Sequence, residues 1–94
     1  MSEEKNLEET ARIFQALGNR NRLRILQTLS GEEKCPHDIA EELDLTNSNI
    51  SHHLKKLHER RIVERRKEGK HRYYQMSDEH IEEIIEAGVE HADE

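Results

Sequence analysis

The sequence predicts a single, mainly α-helical domain with one small β-hairpin, and two patterns support this fold class. Apolar residues recur at helical spacing in five separate stretches of the 94-residue chain. Strand-forming residues flank a charged, glycine-containing segment between residues 62 and 76. Only 32% of the residues are apolar and 38% are charged, so the core is thin for a lone domain. Association with another molecule through an apolar helix face would compensate for the thin core. We interpret residues 1–94 as a single domain.

Start and stop residues define the first three helices. Gly18 ends a helix over about residues 5–17, and Asn19 is a natural cap for the second helix. Pro36 opens a short third helix at the position where a missing N–H costs least. The apolar residues at helical spacing in these helices are Leu7, Ala11, Phe14, Leu17, Leu23, Ile25, Leu26, Leu29, Ile39, Ala40 and Leu43. We expect those of the second and third helices in the core.

A fourth helix, over about residues 46–58, follows the third after a short turn at Asp44 and Leu45. Thr46 caps it, and its inward positions are apolar. The leading edge carries short polar side chains, namely Asn47, Ser48, Asn49, Ser51 and His52. A short helix, a tight turn and a second helix with such an edge form the helix-turn-helix pattern, in which Asn can bond adenine and Ser can contact bases or phosphates. An ordinary capped surface helix would give the same local pattern.

Residues 62–76 predict a two-stranded hairpin with Gly69 at its tip. The strand formers are Ile62, Val63, Tyr73, Tyr74 and Met76, and the cations near the tip are Arg65, Arg66, Lys67, Lys70 and Arg72. After a helix-turn-helix, such a hairpin is a wing suited to phosphate or minor-groove contact, and we expect Lys70, His71 and Arg72 to contact DNA. The alternative is a solvated hairpin whose cations protect an exposed edge.

Charge is distributed unevenly along the chain, although the net charge is −6. Residues 46–72 carry nine Lys or Arg against three Glu, whereas residues 73–94 carry eight acids and no Lys or Arg. The basic middle suits a polyanionic partner such as double-stranded DNA. The single cysteine, Cys35, excludes an intrachain disulfide. Without an apolar span or a signal-like N-terminus, we expect a cytoplasmic protein with no membrane association, and no constellation of residues indicates an enzyme.

The last helix, over about residues 78–92, carries potential metal ligands at both ends. Ser77 is a good cap for it, and its apolar stripe consists of Ile81, Ile84, Ile85, Val89 and Ala92. Asp78 and His80 stand at the start, and His91 and Glu94 at the finish. An exposed acidic helix with two ordinary surface histidines is the alternative interpretation.

Helix geometry limits how these four residues could bind one metal ion. His80 and His91 point in nearly the same direction but stand about 16 Å apart along the axis. One helix therefore cannot close one site around an ion held at about 2 Å. If a second copy runs antiparallel beside it, Asp78 and His80 of one chain meet His91 and Glu94 of the other. Two-fold symmetry would then make two identical sites, with Asp78 in the looser first turn of its helix.

Three separated motifs occur in order along the chain: A-L-G-N-R-N-R-L-R-I-L, T-N-S-N-I-S-H-H-L-K-K-L and G-K-H-R-Y-Y-Q-M. Together they closely resemble the metal-sensing repressors of the ArsR/SmtB family over nearly the whole chain. The resemblance implies a winged helix-turn-helix fold that is dimeric through its first and last helices. It also implies a repressor that binds an inverted-repeat operator as a homodimer and is released by metal.

Zinc-sensing members of that family carry an Asp-x-His pair and a His-x-x-His or His-x-x-Glu pair on the last helix. Asp78, His80, His91 and Glu94 match this pattern, which implies Zn(II), with Co(II) as a surrogate. Nickel is an alternative metal. Glu90, Asp93 or the terminal carboxylate could take the place of Glu94.

A second family site uses residues at the start of the third helix together with N-terminal ligands. Cys35 and Asp38 match the helix portion, but the N-terminal segment has no Cys or His, so we expect that site to be lost unless His37 contributes. Two alternatives to the zinc repressor stay open. One is a repressor of the same fold that senses oxidation at Cys35 or another ligand, and the other is a zinc-binding interaction module.

Overall fold

In a computed structural model, which describes residues 3–94, the chain forms five α-helices and one two-stranded antiparallel sheet. In chain order these are α1 (Glu3–Leu17), α2 (Arg20–Thr28), α3 (Pro36–Leu43), α4 (Asn47–Glu59), β1 (Val63–Glu68), β2 (His71–Met76) and α5 (Glu79–Ala92). The mainly α fold with a small hairpin is therefore confirmed. Residues 1 and 2 of the expected domain lie outside the described residues.

Two of the expected helix caps are confirmed. The side chain of Asn19 accepts a hydrogen bond from the backbone N–H of Arg22 at 3.1 Å and so begins α2. Thr46 accepts from the backbone N–H of Asn49 at 3.0 Å and begins α4. Pro36 is the first residue of α3, as expected. These local signals, a polar acceptor or a proline before an apolar repeat, fix where the helices of the helix-turn-helix begin.

The expectation that Ser77 caps the last helix is wrong, because Asp78 does so. The Asp78 carboxylate accepts hydrogen bonds from the backbone N–H groups of His80 (2.9 Å) and Ile81 (3.3 Å). Ser77 still belongs to the end of the hairpin, since its backbone N–H donates to the carbonyl of Ile62 at 3.0 Å. The helix therefore begins at Glu79, one residue later than expected.

The core is built from every element and is centred on α2, α3 and α4. Its buried apolar residues are Ala16, Leu17, Ile25, Leu26, Leu29, Ile39, Ala40, Ile50, Leu54, Leu57, Ile62, Val63, Tyr74, Ile81 and Ile85. The hairpin is anchored to the loop after α2, where Lys34 and Tyr74 exchange two backbone hydrogen bonds of 3.0 and 2.8 Å. The wing is thereby fixed at its base to the helical body.

Several large apolar side chains on α1 and α5 remain exposed. Leu7 and Phe14 on α1 are 59% and 52% exposed, and Ile84 and Val89 on α5 are 37% and 52% exposed. Part of the apolar stripe predicted for α5 therefore remains exposed to solvent. Apolar surface left on two helices that contain little of the core marks a place for a partner.

Candidate metal centre and DNA interface

The structure brings the four expected metal ligands together as two pairs. Near the start of α5, Asp78 Oδ1 lies 3.5 Å from His80 Nδ1. At the other end, His91 Nδ1 lies 4.0 Å from Glu94 Oε1. All four side chains are exposed. Each end of the helix thus offers one imidazole and one carboxylate, which are donors that suit zinc.

Neither pair forms a complete site within one chain. Eleven residues of helix separate His80 from His91, which is about 16 Å along the axis. Among residues 3–94 of a single chain, no three His, Cys, Asp or Glu side chains converge where they could hold a metal ion. A tetrahedral zinc site needs about four ligands. Each end of α5 is therefore at most half of such a site.

The Asp78–His80 pair opens onto a groove between α1 and α5. This groove has a volume of about 640 Å³, and its apolar wall includes Ile13 and Phe14 of α1 and Ile84 of α5. At about 100° per residue, His80, Ile84 and His91 lie within about 40° of one another around the helix. The two histidines and the exposed Ile84 thus share one flank of α5.

The opposite flank of α5 faces α2 instead. Val89 lines a second groove of about 360 Å³, together with Leu26 of α2 and Met76 of β2. Val89 lies about 140° from Ile84 around the helix. Val89 is therefore exposed on a different surface from Ile84 and the two histidines.

The five residues expected to contact DNA from α4 are all exposed, and the inward residues of that helix are buried. Ile50, Leu54 and Leu57 are at most 1% exposed. The exposed residues are Asn47, Ser48, Asn49, Ser51 and His52. The N-terminal end of α4 thus presents short hydrogen-bonding side chains to solvent, while the opposite face of the helix packs in the core. This arrangement suits insertion into a major groove.

From the sequence alone, His53, His58 and His71 are predicted to be surface histidines, and the structure contradicts this prediction for His53. Its side chain is only 7% exposed, and its Nδ1 accepts a hydrogen bond from Arg22 Nε at 3.1 Å. Burial, with smaller contributions from the positive charges of Arg22 and His52, lowers the pKa of His53 below its ordinary value. The signal was present in the sequence, because His53 falls three residues after Ile50 and one before Leu54 in the apolar stripe. For His58 and His71 the prediction is confirmed, because both are exposed.

The cations of the wing separate into two groups. Arg66 is held by Glu33 through two hydrogen bonds of 2.6 and 3.2 Å, also pairs with Glu68, and lies 4.7 Å from the centre of the Tyr73 ring. The Glu33 and Glu68 carboxylates raise the pKa of Arg66, and Arg66 lowers the pKa of Glu33. Arg66 therefore ties the wing to the loop after α2 and is less available to a phosphate than the sequence suggested.

The remaining wing cations are accessible. Lys67 pairs with Arg72 across the hairpin, and in an antiparallel ladder such partners point to one face, away from Arg66. Lys70 and His71 are exposed beside the turn at Gly69, whose φ of 63° suits glycine. Among the described residues, no ion pair engages the cations Arg65, Lys67, Lys70 and Arg72.

The residues of the second family site do not assemble into a site. Cys35 precedes α3, is half-buried and makes no side-chain capping hydrogen bond. His37 lies 3.7 Å from Glu41 on the exposed face of the same helix, and Asp38 is also exposed. Nothing in the described chain joins Cys35 to further ligands.

The comparison with protein families assigns the chain to a family. The model of a bacterial regulatory protein of the arsR family matches residues 19–65, from the cap of α2 into the wing. The chain belongs to the ArsR family. Its relatives are transcriptional regulators, so the protein is a regulator of this family rather than an enzyme. No helix in residues 3–94 is long and apolar enough to cross a membrane.

Similar proteins extend the match beyond the helix-turn-helix. The chain is 36% identical over 88 residues to a cadmium resistance transcriptional regulatory protein CadC homolog of Staphylococcus aureus, covering 93% of this chain and 73% of that protein. It is 31% identical to a transcriptional repressor SmtB homolog of Synechocystis, covering 93% and 66%. A solved homodimeric winged helix-turn-helix DNA-binding domain from Mycobacterium bovis matches at 30% identity and a TM-score of 0.86, covering 99% of this chain and 88% of that one.

Proposed function

We propose that this ArsR-family protein is a zinc-responsive transcriptional repressor. It binds operator DNA as a homodimer and releases it when zinc binds between the two C-terminal helices. The observation that carries the proposal is the pair of half-sites at the ends of α5, each holding one imidazole and one carboxylate. Relatives named for cadmium resistance and for transcriptional repression support metal-responsive repression as the general activity.

The dimer follows from the apolar residues that the chain leaves exposed. Phe14 and Ile84 line one groove between α1 and α5, and no element within residues 3–94 covers them. A second copy would cover them, because apolar area removed from water contributes about 25 cal/mol per Å². The homodimeric domain from Mycobacterium bovis has the same fold, which supports a homodimer here.

Antiparallel pairing of α5 completes the metal site. Asp78 and His80 of one chain would meet His91 and Glu94 of the other, at both ends of the pair, because a two-fold axis repeats every contact. Two imidazole nitrogens and two carboxylate oxygens without a thiolate form a donor set that suits Zn(II), and Co(II) accepts the same set. Glu90 and Asp93 are exposed on the same final turns and could replace Glu94.

The DNA contacts divide between α4 and the wing. Asn47, Ser48, Asn49, Ser51 and His52 would enter the major groove, and Lys70, His71 and Arg72 would contact the backbone beside it. A two-fold dimer requires an inverted-repeat operator with half-sites about one helical turn apart. Action on operator DNA places the protein in the cytoplasm.

Metal binding would change DNA affinity through the geometry of the dimer. Zinc bound at both ends of the paired helices would fix the angle between the two copies, and with it the separation of the two α4 helices. If that separation does not match the operator, DNA affinity falls. By linkage DNA then lowers zinc affinity by the same factor. Couplings of this kind are typically about 1–3 kcal/mol.

A cobalt titration tests the proposed site directly. Intense ligand-field bands that saturate at one Co(II) per chain, without a thiolate charge-transfer band, are expected for the nitrogen and oxygen donors of α5. A strong thiolate band would move the metal to Cys35, and no binding would leave the histidines as surface residues. Either result overturns the assignment.

The His91→Ala variant connects the site to the response. It is expected to bind the same DNA as the unmodified protein in a fluorescence anisotropy assay, but to stay bound when zinc is added. His37→Ala, which removes an exposed histidine from α3, is the matched control and should keep the zinc response. Zinc-driven release from the His91→Ala variant would contradict the proposal.

A further inference from the structure

Arg22 occupies the corner between α1 and α2 and is fixed there by two contacts. Its backbone N–H donates to the capping side chain of Asn19 at 3.1 Å. Its Nη1 donates to the carbonyl of Ala16, in the last turn of α1, at 3.2 Å. The guanidinium is planar and rigid, so these contacts also set the direction of its remaining donors.

The Nε of Arg22 points from this corner to the recognition helix. It donates to Nδ1 of His53 on α4 at 3.1 Å, across 31 residues of sequence. A neutral imidazole that accepts at Nδ1 carries its proton on Nε2, whereas a protonated imidazole has no acceptor at all. The hydrogen bond between Arg22 and His53 therefore exists only while His53 is uncharged.

We propose that Arg22 and His53 are positioning residues that hold the recognition helix in its DNA-binding orientation while His53 is neutral. Loss of this contact at acidic pH would weaken DNA binding without any metal. The inference rests on the proposed DNA binding, since it concerns the orientation of the helix that reads the operator. His53 directly follows His52, which is one of the residues expected to contact bases. A shift or rotation at His53 therefore moves the reading face itself.

The surroundings of His53 offer little compensation for a second positive charge. Arg22 faces it from α2, and the ring of His52 lies 5.7 Å away on α4. The cleft beside Arg22 is lined by further charged residues of α1 and α4, namely Arg12, Lys56, Glu59 and Arg60. Glu59 is the single carboxylate among these charged residues. A protonated His53 would thus stand buried against the guanidinium of Arg22, which favours loss of this contact and a local shift of α4.

The direction of the pH effect follows from the lowered pKa of His53. The neutral contact is complete above the ordinary value of 6.5, and it is progressively lost as the pH falls from 6.5 through the lower pKa of the folded state. DNA affinity is expected to fall with pH in the same way, because the DNA-binding orientation of α4 requires neutral His53. A single linked proton changes affinity by at most about tenfold per pH unit.

The test compares metal-free protein and a His53→Gln variant in EDTA, on a duplex selected from a random-sequence pool at about pH 7.5. Glutamine can accept from Arg22 Nε but does not titrate. Between about pH 7.5 and pH 5.5, the ratio of variant affinity to wild-type affinity is expected to rise, by at most about tenfold per pH unit. The other six histidines are present in both proteins, so the ratio reports the change at position 53. A constant ratio would overturn the proposal.

An NMR titration of wild-type His53 tests the contact without DNA. The imidazole is expected to show an unprotonated Nδ1 near neutral pH and to titrate below 6.5. A midpoint at or above 6.5, or a proton on Nδ1, would refute the contact even if the variant fails to fold. If no duplex is selected at any pH, the proposed DNA binding fails, and the NMR result still decides whether the Arg22–His53 contact is present.

Discussion

A hydrogen bond of 2.9 Å joins the carboxylate of Asp78 to the backbone N–H of His80, so an expected metal ligand also begins helix α5. The same oxygen, Oδ1, accepts the N–H of Ile81 at 3.3 Å. The capping role therefore uses one carboxylate oxygen. Oδ2 is left for a metal ion, and the cap holds the carboxylate near the imidazole of His80.

Two substitutions at Asp78 separate its two roles. Asp78→Asn keeps a capping oxygen and should change the free energy of unfolding little, whereas Asp78→Ala should lower it by about 1 kcal/mol. Both should weaken zinc binding by at least about tenfold, because even residues behind the ligands contribute about 10–100-fold. Chemical denaturation and a chelator-competition titration provide the measurements. Normal zinc affinity in both variants would exclude Asp78 as a ligand.

Phe14 and Val89 are equally exposed, at 52%, but lie on different surfaces. Phe14 lines the groove beside the Asp78–His80 pair, and Val89 lines the groove beside α2. Burial of a phenylalanine contributes about 1.5–3 kcal/mol. Phe14→Glu is therefore expected to weaken the dimer by at least about tenfold in sedimentation equilibrium, and Val89→Glu should leave it intact. The opposite order would place the dimer interface on the α2 side.

Local sequence patterns were sufficient to predict the order of the helices and strands, because the residues that begin and end each element lie within a few residues of it. Asn19, Pro36 and Thr46 begin their helices as expected. The cap of α5 could not be chosen in this way, since Ser77 and Asp78 are both good caps. The pairing of the Ser77 N–H with Ile62, fifteen residues earlier, assigns Ser77 to the hairpin end.

The site was less predictable where it depends on distant partners. The Arg66–Glu33 pair joins residues 33 apart in sequence, so charge counting could not separate Arg66 from the accessible cations of the wing. The burial of His53, in contrast, follows from helical spacing. The proposed metal site is incomplete in one chain, because its two proposed halves lie at opposite ends of α5 and would need a second copy to meet.

Arg61 adopts a left-handed conformation, with φ of 58°, just after the C-terminus of α4. The N–H of Ile62 donates to the carbonyl of Leu57 at 3.0 Å, as in a Schellman ending, where glycine is favoured. Arg61→Gly should therefore raise the free energy of unfolding by roughly 0.5–1 kcal/mol. Asp44, with φ of 56°, is the control, because Asp tolerates this conformation better and Asp44→Gly should gain less. Urea denaturation measures both variants, and a loss of stability in Arg61→Gly would contradict this expectation.

Arg65 and Arg66 are neighbours on β1 but should differ in their effect on DNA binding. Arg66 is held by Glu33 and Glu68, whereas Arg65 makes no ion pair with a described residue. Each phosphate contact contributes about 0.9 to the slope of log affinity against log salt concentration. Arg65→Ala should reduce that slope by about 1.8, because the homodimer loses one contact in each of its two chains, and should leave the melting temperature unchanged. Arg66→Ala should keep the slope and lower the melting temperature slightly, because the wing loses its tie to the loop after α2. Equal reductions of the slope in both variants would show that Arg66 leaves its carboxylates to contact DNA.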